Sequence, residues 1–248
     1  MTASRSLNSS MRKLSRGTLD WSRRQSRRVC VARAINPEVK IGTFTDGITE
    51  ESLGAFLDGV DVVVDGIEFF AIDAHRELHA ACRKHGVPVV QAGPVGYGAA
   101  VWTFLPQGIS FDRYFGLADE MTRAEQLLAF ALGHAPGLVG DVDPSGVDVQ
   151  KQRGPGLASA CLLCAATAAT EVLKLVCERG RLCAAPYGVY FDPYRGKTVS
   201  LRPRPNLTSS LRGRFLKYLG FRRFPTFREL HVRELEERAR AKLAEGRV

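Results

Sequence analysis

The run from Asp61 to Gly98, DVVVDGIEFFAIDAHRELHAACRKHGVPVVQAGPVGYG, sets the topology of this chain. Asp61–Asp65 is short, apolar and β-branched, and it stops at Asp65-Gly66. That is the pattern of a buried strand delivering a carboxylate to its carboxyl end. Ala71, Ala74, Leu78, Ala81 and Cys82 then recur three and four apart, as one face of a helix. His85-Gly86 supplies the stop, because glycine can take the left-handed cap conformation. Val87-Pro88-Val89-Val90 opens a second strand. A strand–helix–strand crossover joins parallel strands, and ligands bind at the carboxyl ends of such strands. The candidate site is therefore Asp65 to Glu68 with Gln91 to Gly98.

On the amino-terminal side, Val39–Phe44 reads as a strand, and Thr49-Glu50-Glu51 as the acidic first turn of a helix reaching Leu57. Ser22–Ala34 reads as a basic helix, ended by Pro37. Residues 1–20 are Ser- and Arg-rich and short of bulky apolar side chains, a disordered composition that organelle transit peptides share. On the carboxyl-terminal side, Ala99–Leu105 is a further strand and Arg123–Leu132 a helix. A Gly/Asp/Pro-rich crossing loop lies within residues 106–156. Leu157–Val176 is apolar on nearly all sides and is expected to be a buried helix. Ser159, Thr167, Thr170, Glu171 and Lys174 argue against a membrane span of the same length. Gly188–Phe191 and Thr198–Leu201 are short strands about the turn Asp192–Gly196, and Phe227–Glu245 is a charged helix.

The organisation expected is a basic leader over 1–34, an α/β domain over 35–204 and a basic extension over 205–248. The formal charge of +9 is unevenly spread: +8 over residues 1–34, −7 over 35–201 and +8 over 202–248. Basic arms of this kind are read as solvated tails rather than as nucleic-acid or membrane sites. Six cysteines without regular spacing do not form a disulfide framework, and a reducing cytoplasmic setting is expected.

Several motifs dissolve on inspection. Gly93-x-x-Gly96-x-Gly98 precedes a strand rather than a helix, so it reads as sharp turning and close backbone approach. His75 and His79 share a helix face, but zinc proteases need Glu directly after the first histidine, so a surface pair is expected. Cys161 and Cys164 are one pair where a structural zinc needs two, and they read as small core residues. Asp141-x-Asp143-x-Ser145-Gly146 opens like a calcium loop, yet Pro144 interrupts it and its twelfth position is Gln152.

Taken together, Ala34-Ile35-Asn36-Pro37-Glu38-Val39, Phe56–Gly66, Gly86–Val90, the helix Ala168–Leu175 and the segment Gly188–Pro203 resemble the E1-like activating enzymes of the ThiF/MoeB superfamily. The order and spacing hold across residues 34–204. Gly93 to Phe115 is similar to a stretch found in bacterial ThiF-type adenylyltransferases. The resemblance implies an α/β, Rossmann-like, mostly parallel sheet. It also implies ATP- and Mg²⁺-dependent adenylation of a carboxylate, such as the C-terminus of a small ubiquitin-like or sulfur-carrier protein. A homo- or heterodimer is implied too.

By the same resemblance Asp65 and Glu68 are the catalytic acids, with Glu68 at the Mg²⁺ position. Arg23 or Arg24 stands where the family has a lysine, and Gln91, Gly93 and Gly96 border the nucleotide. Relative to the family, the first strand and the glycine-rich loop of the nucleotide half are missing, and the 248 residues contain no G-x-G-x-x-G. The crossing loop has no cysteine to form a thioester. The chain is expected to be a degenerate or N-terminally incomplete member, impaired alone or acting as a non-catalytic partner subunit. A Rossmann-type oxidoreductase is disfavoured by the lack of a dinucleotide fingerprint.

Overall fold

A computed structural model describes residues 18–44, 47–135, 143–154 and 156–245. The expected disorder over most of residues 1–20, and Asp141 of the calcium-like motif, fall outside the described residues. The chain divides into two compact units, residues 1–58 and 59–248.

In the first unit, α1 (Thr18–Ile35) ends just before Pro37, where the Asn36 side chain accepts from Glu38 N–H at 3.1 Å. Helix α2 (Glu50–Leu57) begins at a capping box, Thr49 and Ser52 each bonding the other's backbone N–H. Phe44 packs edge-on to Phe56 with ring centroids 5.6 Å apart. The strand expected over Val39–Phe44 does not form: these residues pair with no strand among those described, and without a ladder partner an apolar segment stays irregular.

The second unit is built on one sheet in the order β1 (Val63–Asp65), β2 (Val89–Val95), β3 (Gly98–Phe104), β4 (Gly188–Asp192) and β5 (Lys197–Leu201). β1 and β2 are parallel, joined through α3 (Ile72–His85), which Gly86 closes at φ 75°. The mostly parallel sheet implied by resemblance is corrected here. β2–β3, β3–β4 and β4–β5 are all antiparallel, although the α/β class stands. For β2–β3 and β4–β5 the reason is a short connection, which can only reverse the chain. Val95 pairs with Gly98, so only Gly96 and Tyr97 link β2 to β3, and Gly96 takes φ 58° as a two-residue hairpin requires.

Side chains of paired residues share a face, which sorts the core into two layers. On one face Val89, Gln91, Trp102 and Phe104 meet α3, α4 (Phe111–Phe115) and α5 (Arg123–His134) in an aromatic core. Trp102, Phe115 and Phe130 are fully buried there, and Trp102 Nε1 donates to the Tyr114 hydroxyl at 2.6 Å. The sequence reading of residues 106–156 as a loose crossing loop missed α4, a single turn capped by Ser110 and closed by Gly116.

On the other face Val90 and Val101 pack against Ala168 of α6 (Ala158–Val176). Glu171 anchors α6 to the sheet: it accepts from Thr103 Oγ1 at 3.3 Å and from Cys183 N–H at 2.9 Å, and it pairs with Lys174. The expectation that α6 is buried all round is corrected. Ala160, Cys164, Ala168 and Glu171 are buried, but the opposite side is open to solvent, because one helix has only the sheet to lie on. Cys164 is a core residue as expected, whereas Cys161 is exposed. The basic extension forms α7 (Leu211–Arg223) and α8 (Pro225–Glu245). Both are tied to α5 and its cap: Lys217 pairs with Glu125 at 2.9 Å, and His231 Nδ1 lies 2.8 Å from Thr122 Oγ1.

Candidate functional site

Asp65 ends β1 beside Gln91 of β2, at the carboxyl end of the parallel pair. Asp65 is buried, and both its oxygens are engaged. Oδ1 accepts from Ile67 N–H at 3.0 Å; Oδ2 lies 2.6 Å from His75 Nδ1 and 3.0 Å from His79 Nε2. Burial works against the charged carboxylate, but the hydrogen bonds and positive potential of the two histidines outweigh it. They hold Asp65 well below the usual carboxylate range. As an anion it only accepts, so both imidazoles donate to it. Burial pushes His79 below its ordinary value.

The surface reading of His75 and His79 is therefore a correction: they are 2% and 5% exposed. Their spacing with Ile72, Leu78 and Cys82 placed them on the buried side of α3 all along. The missed signal was a strand-end acid able to satisfy two imidazoles at once. Among the described residues no group of three or more His, Cys, Asp or Glu side chains is placed to hold a metal ion.

Asp65 thereby shapes the loop that follows it. Its bond to Ile67 N–H, the Glu68 carbonyl accepting from Ala71 N–H at 2.9 Å, and Arg123 Nη2 donating to the Phe70 carbonyl at 2.6 Å brace residues 66–71. On this braced loop Glu68 is exposed to solvent. The two acids are thus close in sequence and opposite in circumstance: one is consumed inside the protein and the other is presented outward.

Gln91 is buried, and its Oε1 finds no partner among the described residues; His75 Nε2 is in the same position. Gly93 lies against His134. A Cβ there would sit 2.6 Å from the His134 ring, so Gly93 is required by close approach. His134 was missed at the sequence level. It is buried among Trp102, Phe115 and Phe130, its Nδ1 is 2.8 Å from the Phe130 carbonyl, and burial pushes it down to about 4. Gly96 is the hairpin turn. Arg23 and Arg24 lie on α1, in the other unit, and their side chains fall outside the described residues.

A Mg²⁺ ion bridging to phosphate needs only one or two carboxylates from the protein, which the exposed Glu68 fits. A whole nucleotide is not fitted. Among the described residues of this unit, those around Glu68 offer no glycine-rich N–H cradle, and Arg123, which reaches this loop, is committed to Asp73 at 2.7 Å and to Phe70. A separate pocket of about 200 Å³ lies at the opposite end of β2, between Arg76, His79, Arg83, Phe104 and Phe111. It is smaller than typical small-molecule sites, and Glu68 is not among its lining residues.

The model of the ThiF family matches residues 27–211. No curated protein matches the sequence. Among solved structures, the chain is similar to E. coli MccB with ATP: 15% identity over 73% of this chain and 48% of that one, TM-score 0.47. It is similar to E. coli MccB with MccA-N7isoASN: 16% identity, 73% and 49%, TM-score 0.47. It is also similar to PaaA: 11% identity, 69% and 44%, TM-score 0.44. The chain spans less than half the length of each of these proteins.

Proposed function

Because the chain belongs to the ThiF family, we propose that it carries one half of a carboxylate-adenylating centre. The glycine-rich phosphate cradle is not among these 248 residues, so activity would depend on a cradle brought from outside them. The observation that carries this reading is Glu68, held outward on a braced loop at the carboxyl end of the parallel pair. Glu68 would hold Mg²⁺ on the phosphate side, and that ion would stabilise charge on the transferring phosphorus. Asp65 orients the loop through its own hydrogen bonds, while Gln91 and Gly93 border the site. Arg23 or Arg24 would supply the cation. The substrate is a carboxylate at the end of a peptide or small carrier protein. The setting proposed is the cytoplasm.

A second reading is favoured by Asp65 itself. With both oxygens taken up inside the protein, the centre presents one acid instead of two, as suits a non-catalytic partner subunit. Pyrophosphate–ATP exchange distinguishes the two. The purified chain alone is expected to stay at background, and carboxylate-dependent exchange is expected once a ThiF-type partner bearing a glycine-rich loop is added. Loss of that exchange in Glu68→Gln supports the first reading. Exchange indifferent to Glu68 leaves only the partner-subunit reading.

A further inference from the structure

We propose that the pocket beside α3 binds a small aromatic carboxylate, with its ring against His79, Phe104 and Phe111 and its anionic head on Arg83. Every residue lining this pocket belongs to the second unit. The proposal does not depend on adenylation.

The walls set the body of the ligand. Val87, Val89, Phe104, Ile109 and Phe111 form the apolar side of the pocket. The His79 ring lies 4.4 Å from that of Phe111 and, edge-on, 5.0 Å from that of Phe104, centroid to centroid. A surface built of ring faces and edges favours another ring, which can stack on it or meet it edge-on. The space of about 200 Å³ is below the about 300 Å³ and upward that drug-sized ligands occupy, so it suits one ring with a short link.

The charges set the head. Arg76, Arg83 and Asp112 line the pocket, and two of the three are spent on each other. Arg76 Nε lies 3.0 and 3.1 Å from the two Asp112 oxygens, and Nη2 donates to Asp112 and to Asp119 at 2.7 Å each. That leaves Arg83. It is exposed, so it stands at the rim, and among the described residues it donates to the Gly108 carbonyl at 2.7 Å and pairs with no carboxylate. The Gly108 bond fixes the guanidinium while its other N–H groups stay open. A planar fork held in place is matched by a carboxylate, which can accept two of those bonds at once. Burial keeps His79 neutral, so the pocket calls for a single negative charge.

The position of His79 gives such a ligand a consequence. His79 belongs both to the pocket and to the cluster around Asp65, whose Oδ2 it meets at 3.0 Å. An occupant stacked on this ring therefore touches the side chain that helps hold Asp65, and Asp65 braces the loop of Glu68. The pocket is placed as an effector site for the carboxyl end of β1.

Titration of the isotope-labelled full chain with phenylacetate near neutral pH, followed by NMR, tests this. The expected result is saturable shifts of the Arg83 guanidinium and His79 imidazole signals, while His231, which does not line the pocket, stays still. A dissociation constant of about 1 mM or below is expected for a ligand of about ten non-hydrogen atoms. Phenylacetamide keeps the ring without the charge, and acetate keeps the charge without the ring. Each should bind about tenfold or more weakly than phenylacetate. Arg83→Gln should weaken phenylacetate by about tenfold or more. Ala80→Leu should abolish binding, because Ala80 is an exposed lining residue on a helix where leucine is well tolerated and would fill the opening. Circular dichroism melts check that both variants remain folded. No saturation by about 20 mM phenylacetate overturns the proposal. So does acetate or phenylacetamide binding as tightly as phenylacetate, binding unchanged in either variant, or saturation that leaves the His79 signals unmoved.

Discussion

His75 Nδ1 and Asp65 Oδ2 lie 2.6 Å apart in the interior of the protein, and His79 reaches the same oxygen from the next turn of α3. One carboxylate oxygen at the end of β1 thereby fastens two turns of the crossover helix and sets the loop that holds Glu68 outward. Asp65→Ala would leave two buried imidazole N–H groups and the Ile67 N–H without their acceptor. It should cost about 3 kcal/mol or more, because unpaired buried polar groups bear the full cost of lost hydration. Urea denaturation measures it; a loss under about 1 kcal/mol would show the cluster to be incidental.

Stability should fall on acidification well before carboxylates titrate. His134 is held at about 4, below its ordinary value of 6.5, because burial disfavours the imidazolium. Its folded pKa is depressed, so its contribution is fully present above pH 6.5 and is lost as pH falls toward 4. By linkage that loss approaches about 3 kcal/mol. His79 acts in the same direction. Asp65, also depressed, adds a further loss below its ordinary value of 3.8. Thermal melts between pH 7 and pH 4 should show this slope, and His134→Phe should flatten it; an unchanged slope would acquit His134.

Gly93→Ala should be destabilising although alanine is the smallest change available. The new Cβ would sit 2.6 Å from His134 Cδ2, inside a ring of aromatic neighbours that leaves the imidazole little room to move. Overpacking of this kind costs about 1–3 kcal/mol. Trimming the ring in a Gly93→Ala, His134→Ala double variant should make the two costs less than additive, which a double-mutant cycle in urea reads directly.

Glu68→Gln should separate chemistry from folding. The side chain is exposed, so stability should stay within about 0.5 kcal/mol of the parent. If Glu68 holds the metal as proposed, exchange by the complemented chain should fall by about tenfold or more, since losing even an outer-shell partner of a metal site costs that much. A large shift in melting temperature would instead make Glu68 a structural residue.

Glu171→Ala should loosen α6 from the sheet. It removes the acceptor of the Cys183 N–H and of the Thr103 hydroxyl, and leaves Lys174 the Arg181 carbonyl as its partner. A cost of about 3 kcal/mol is expected, with faster amide exchange in α6 as the local signature.

Much of this was written in local patterns. The change of apolar period from two to about 3.6 and back located β1, α3 and β2, and Gly86 marked the helix end. Thr49 and Pro37 bounded helices as their backbone chemistry requires. The carboxyl end of β1 was recognisable as a candidate site because a parallel crossover leaves its strand ends open to ligands. Those signals are legible because hydrogen-bond geometry and side-chain periodicity act over a few neighbouring residues.

What they could not convey was which partner each face would meet. The direction of β3 turned on a two-residue connection at Gly96-Tyr97. Whether Asp65 would face solvent or two histidines depended on α3 lying over the end of β1. An apolar helix such as α6 looks the same in sequence whether one side is covered or all of it. Burial is a relation between segments far apart in the chain, and only the packed fold fixes that relation.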